Sequence, residues 1–179
     1  MTALPNEKSF TIQDIEKLPE GQRAELIDGT IYMQTAPLRI HQRITGRLQY
    51  SIFSHIEKSG KPCDVYAAPF AVYLGEDYVE PDISVICDPN KLTEKGCVGA
   101  PDWIIEVLSP STAMNDYVRK LGLYARSGVR EYWIIDPENS TVLTYVFSES
   151  TLHPSEYSFE DLIPVKISDG FYIRIKDLL

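Results

Sequence analysis

The sequence predicts an α/β (α+β) fold, a central mixed β-sheet flanked by helices, and three observations carry it. Apolar residues recur at helical spacing over 38–58, a strand–helix–strand order occupies 102–136, and hairpin patterns precede the latter. The 179 residues suit one domain spanning 1–179, because domains commonly run to about 100–200 residues. With 44% hydrophobic and 24% charged residues the chain is neither disordered nor membrane-like, and no apolar run approaches the roughly 18 residues of a spanning helix.

In chain order, Met1-Thr-Ala-Leu-Pro-Asn-Glu-Lys8 has no basic start followed by an apolar run, so no secretory signal is expected and the protein is placed in the cytoplasm. Thr11 caps a short helix over 11–17, closed by Leu18-Pro-Glu-Gly21. Asp28-Gly29 between apolar runs marks a tight hairpin, with Glu25 on its first strand. Ile40, Ile44, Leu48 and Ile52 then recur every four positions, the stripe of an amphipathic helix that covers one face of the sheet. Arg39, Arg43 and Arg47 run beside that stripe and read either as a solvated flank or as phosphate contacts. His41 and His55 have no partner at metal-ligand spacing, so no zinc site is expected.

Segment 63–74 reads as two strands broken at Pro69, 82–87 as another strand, and 88–99 as a polar loop. Cys63, Cys87 and Cys97 are odd in number and lack CxxC spacing, which predicts reduced thiols rather than a disulfide. After the strand ending at Leu108, Ser109-Pro-Ser-Thr112 leads into a helix over 113–127. Tyr117, Leu121, Tyr124 and Ala125 form its buried face and Gly128 its C-cap. Glu131-Tyr-Trp-Ile-Ile-Asp136 is a strand that turns at Pro137-Glu-Asn139 into another, and Tyr157, Phe159 and the 171–175 run add late strand material.

The chemistry centres on Pro101-Asp-Trp-Ile-Ile-Glu-Val-Leu108. Side chains alternate along a strand, so Trp103, Ile105 and Val107 share one face, and Glu106 is flanked by Ile104 and Leu108 on the other. A carboxylate there is costly unless it is paired, neutralised or bound to a metal. Asp82 has a similar setting at the mouth of Ile83-Ser-Val-Ile86. Asp82 and Glu106, with Glu25 nearby and the carbonyl of Val107, would make the all-oxygen environment that Mg²⁺ prefers. Lys120, across the strand-to-helix turn, would reach a phosphate or acidify a metal-bound water. Asp116, one turn before Lys120, would orient it or tether it away.

These residues carry a resemblance. The set Glu-Leu-Ile-Asp-Gly (25–29), Pro81-Asp82-Ile-Ser, Ile105-Glu-Val-Leu-Ser-Pro-Ser-Thr112, Asp116, Lys120, Tyr124 and Gly128-Val-Arg-Glu-Tyr-Trp-Ile-Ile-Asp-Pro137 resembles the bacterial Uma-two family of restriction-endonuclease-like proteins. The resemblance implies the core of the PD-(D/E)XK nuclease superfamily and Mg²⁺-dependent cleavage of DNA, with Mn²⁺ able to substitute. Carried over by position, Glu25, Asp82 and Glu106 look like the metal carboxylates, Val107 like a main-chain ligand and Lys120 like the catalytic lysine. The superfamily pattern wants a lysine two residues after the acid, where this chain has Leu108, so Lys120 would be a relocated substitute.

No GxSxG, SxxK, GxxxxGK[ST] or GxGxxG string occurs, which removes serine-hydrolase, P-loop and dinucleotide readings. The alternative is a nuclease-fold module that holds nucleic acid or a protein partner without cutting, a reading the net charge of −9 favours. Cutting both strands of a duplex would suit a homodimer with two-fold symmetry.

Overall fold

The computed structural model describes residues 9–109, 113–147 and 153–179, and for 113–116 the helix alone. The chain runs through α1 (Ile12–Glu16), β1 (Ala24–Ile27), β2 (Thr30–Met33), α2 (Arg39–Ser59), β3 (Asp64–Ala67), β4 (Val72–Leu74), β5 (Asp77–Val79) and β6 (Ile83–Ile86). It continues with β7 (Leu92–Thr93), β8 (Gly96–Val98), β9 (Trp103–Val107), α3 (Ala113–Ser127), β10 (Glu131–Asp136), β11 (Thr141–Val146), β12 (Ser155–Ser158), β13 (Ile163–Pro164) and β14 (Tyr172–Ile173). Among the described residues no helix is long and apolar enough to cross a membrane.

Two six-stranded sheets form, where the sequence suggested one. The central mixed sheet has the order β12-β11-β10-β9-β6-β3, and within it β9 and β10 are parallel, joined through α3. The second sheet has the order β2-β1-β5-β4-β8-β7 and gathers the short, turn-rich strands. Asp28 and Gly29, at φ 49° and 71°, make the hairpin turn between β1 and β2. The left-handed φ of Gly29 favours glycine there, and a Cβ would also crowd the Ser9 side chain.

The period-two reading of β9 decides how the layers stack. Trp103, Ile105 and Val107 pack with Ile44, Leu48 and Ile52 of α2, while Ile104 and Leu108 join Leu123 and Tyr124 of α3 on the opposite face. Fully burying a side chain of the Leu or Ile kind stabilises a fold by about 1.5–3 kcal/mol, so these two layers fix the direction of every side chain along β9. Leu123 is a buried contact of α3 that the sequence reading omitted, and Tyr117 and Leu121 are only half-buried. Ile40, expected in the stripe, is 38% exposed, because the stripe begins to engage the sheet at His41 and Ile44.

Two further expectations are corrected. Segment 88–99 is not an unstructured loop: it holds a 3-10 turn at Pro89–Lys91 and the pair β7–β8, strands too short to show a period. Cys63 and Cys87 are disulfide-bonded, and only Cys97 is free. The antiparallel register Asp64↔Ile86 sets the two cysteines opposite each other at the ends of β3 and β6, a proximity that a count of cysteines does not contain.

Glu131, at the start of β10, is fully buried and accepts hydrogen bonds from Trp133 Nε1 (2.7 Å) and the Ile167 amide (2.9 Å). It therefore clasps the 163–175 segment to the central sheet, and burial raises its carboxyl above the usual range against the pull of those donors.

Candidate functional site

The site lies at the seam between the two sheets and α3. Glu25 comes from β1 in the second sheet, Glu106 from β9 of the central one, and Asp82 from the bend that leads into β6 of the central one. The register Ile83↔Ile105 between β6 and β9 sets Asp82 beside Glu106. From α3, Lys120 Nζ reaches 2.9 Å from Glu106 Oε1 and 2.9 Å from Glu25 Oε2. Tyr124, one turn on, donates its hydroxyl to the same Glu106 oxygen at 2.8 Å, and the Glu80 amide donates to Glu25 Oε1 at 3.0 Å.

Asp82 is held in a parallel way. Its Oδ2 accepts the Val107 amide at 2.8 Å and pairs with His41 Nε2 at 2.9 Å, while His41 Nδ1 lies 3.5 Å from Thr45 Oγ1. Two donors thus converge on one oxygen of Asp82 and two on one oxygen of Glu106. Among the described residues no hydrogen bond engages the other oxygen of either acid.

The electrostatics follow from two buried carboxylates sharing one ammonium, with the Asp82–His41 pair beside Glu106. Burial pushes Glu106 up to about 7, the neighbouring Asp82 and Glu25 charges add to that, and Lys120 opposes it. Burial pulls Lys120 down, but Glu106 and Glu25 outweigh it and keep the ammonium protonated. Burial likewise lowers His41, and the hydrogen bond and charge of Asp82, with Glu106 behind it, reverse the shift upward. Tyr124 is held neutral by burial and by the same two glutamates.

Among the described residues no three His, Cys, Asp or Glu side chains are drawn together as a ready metal site, and the cation between Glu25 and Glu106 is the Lys120 ammonium. The donor set nonetheless suits a hard cation. Asp82 and Glu106 are adjacent oxygen donors, each with one oxygen outside the network, and the strand carries a Val107 carbonyl next to them. Glu25 has both oxygens turned to Lys120, which makes it the lysine's partner in this arrangement. The side chain of Asp116 and residues 110–112, named from the sequence, lie outside the described residues.

The site opens into a groove of about 870 Å³ lined by Glu25, Asp82, Glu106 and Lys120 on its floor and by Gln42, Thr45 and Gln49 of α2 on its wall. None of the three arginines lines it. Arg43 and Arg47 instead donate to the backbone oxygen of Leu179, the latter at 2.7 Å, and Arg39 is exposed at the start of α2. Arg23, which does line the groove, is paired with Glu80 at 2.6 Å. If only Arg39 of that stripe meets a phosphate, replacing all three arginines with Gln should flatten the log–log salt dependence of DNA binding by about 0.9. Titrations between low and moderate salt measure this, and a change near 2.7, roughly 0.9 for each of three contacts, would return all three arginines to the DNA.

His41 is the site residue that sequence reasoning missed. Its signal was a polar side chain three positions before Ile44 on the buried stripe of α2, but its partner Asp82 is far along the chain.

Comparison with known proteins places this geometry in a group. Residues 12–175 match the Uma2 family, described as "Putative restriction endonuclease". A crystal structure described as "a putative nuclease belonging to DUF820" from Anabaena variabilis is similar to this one with a TM-score of 0.80 and 26% identity, covering 94% of this chain and 97% of that one. An "Uncharacterized protein slr1290" of Synechocystis sp. is 28% identical over 118 residues, which is 65% of this chain and 61% of that protein's length. With a match that runs from α1 to the last strand and a shared nuclease fold, the chain belongs to the Uma2 family.

Proposed function

We propose that the protein is a metal-dependent DNA endonuclease of the PD-(D/E)XK type, which hydrolyses phosphodiester bonds with Mg²⁺ or Mn²⁺. The observation that supports this most is the meeting of Asp82, at the entry to β6, with Glu106 of β9 and Lys120 of α3 along one open groove. Asp82 and Glu106 would hold the cation, with Val107 contributing its carbonyl and Glu25 anchoring Lys120. When bound, the cation supplies Lewis acidity on a phosphoryl oxygen and a water of lowered pKa.

The chain's own groups do the rest. Lys120, fixed by two carboxylates, presents a positive charge that needs no reorganisation as negative charge grows on the phosphoryl group. Tyr124 and Lys120 fix the orientation of Glu106, and the Val107 amide and His41 fix that of Asp82. DNA is the proposed partner, and a duplex cut would take two copies of the chain.

A second reading has an observation in its favour. The ammonium already neutralises part of the acid cluster, and Arg43 and Arg47 of α2 are turned to Leu179, so a module that binds without cutting fits the net charge of −9. Supercoiled plasmid incubated with Mn²⁺, with Mg²⁺ and with chelator separates the two. Nicking or linearisation in either metal and none in chelator is expected, and intact plasmid under every metal and substrate tried would give the binding reading the field.

A further inference from the structure

We propose that the apolar cavity beside the carboxylates is a subsite for one nucleobase of the substrate strand, next to the phosphate that is cut. This rests on the nuclease reading above and adds to it the part of the substrate the site would select. The cavity has a volume of about 420 Å³, within the roughly 300–1,000 Å³ of small-molecule sites, and its walls are predominantly apolar. It shares Leu38, His41, Leu108 and Tyr117 with the catalytic groove, so whatever fills it sits within reach of the groove floor.

Three features select a base over other occupants. Glu138 and Asp136 border the cavity and repel a phosphate; Asp136 is taken up by the amides of Glu138 and Asn139 and the Asn139 side chain, which leaves the Glu138 carboxylate to accept from the amino groups of adenine, guanine or cytosine. Tyr117, half-buried and held by a hydroxyl contact with Tyr145, puts an aromatic ring in the wall, and stacking of a base on an aromatic side chain is worth roughly 5- to 150-fold in affinity. Leu38, 53% exposed, and Ile40, 38% exposed, line the cavity from the start of α2, and exposed aliphatic side chains are the kind that enter between neighbouring bases and unstack them. The groove's lining cations, Arg23 and Lys120, are both paired with carboxylates, so backbone attraction is weak. Capture of a base supplies affinity that the phosphates do not.

The test needs neither metal nor cleavage. Adenosine, guanosine, cytidine and thymidine are titrated against the full chain by NMR in chelator, with ribose 5-phosphate as a probe lacking a base and octanoate as an aliphatic one. Binding of at least one nucleoside is expected, with shifts at Tyr117 and Leu143, no competition by ribose 5-phosphate, and at least tenfold weakening in Leu143→Trp, which fills the cavity. Thr141→Trp fills it from the next position but one of β11 and serves if the first variant does not fold. Absence of binding by all four nucleosides, equal binding in the filled variant, or preference for octanoate overturns the subsite. Because no cutting is involved, plasmid cleavage without nucleoside binding would sink the subsite alone, and nucleoside binding without cleavage would sink the nuclease reading and leave a base-binding cavity with no phosphate cut beside it.

Discussion

Lys120→Ala should lower the rate of plasmid cleavage by about 10²–10³, the usual cost of removing one group that stabilises charge in the transition state. The same substitution should destabilise the fold. Lys120 and Glu106 are each 8% exposed, and removing one partner of a buried ion pair leaves the other uncompensated, typically at about 3–5 kcal/mol. The loss should be smaller at pH 5 than at pH 8, because burial and its acidic neighbours already raise Glu106 to about 7 and a protonated Glu106 needs no counter-charge. Thermal melts at the two pH values measure this. Leu108 leaves β9 on the face of Glu106, so adding Leu108→Lys to the alanine variant should recover part of the rate. Cleavage at the wild-type rate in Lys120→Ala would remove the lysine from the mechanism.

Glu106→Gln should abolish cleavage and, with it, the rise in melting temperature that millimolar Mg²⁺ or Mn²⁺ gives the wild type by binding the folded state alone. It should also alter the response to pH. A carboxyl whose folded pKa is raised from 4.5 to about 7 contributes stability that is fully present below the lower value and is lost as pH rises through the upper one. In chelator the wild type should therefore lose stability between pH 4.5 and about 7, and the glutamine variant should lose less over that window. A wild type that melts at one temperature with and without metal would dismiss the metal centre, whatever the variant does.

How much of this was written in the sequence depends on the range over which each signal acts. The acid of β9 was legible because period-two alternation makes Glu106 an anomaly among Ile104, Ile105 and Leu108. The stripe of α2 was legible because Ile44, Leu48 and Ile52 repeat at helical spacing. The arrival of Lys120 at Glu25 and Glu106 was suggested by the strand–helix order and by the family resemblance, since no local pattern encodes a contact across 95 positions. Features that depend on register alone were invisible. The Cys63–Cys87 bond follows from β3 meeting β6, and the partner of His41 follows from α2 crossing the end of β6. The destination of Arg43 and Arg47 is set by where the chain's last residues dock, which helical spacing on α2 does not report.

The seam that joins the two sheets has a consequence for how the protein acquires activity. Glu25, Asp82, Glu106 and Lys120 come from strands, a strand-entry bend and a helix dispersed through the chain, so no early hairpin or helix contains the constellation. Closing such distant contacts is slow compared with forming local structure. On dilution from denaturant, recovery of far-ultraviolet circular dichroism should run ahead of recovery of the site. Partly folded chains, which already hold helices and hairpins, would then be catalytically silent while they linger near nucleic acid.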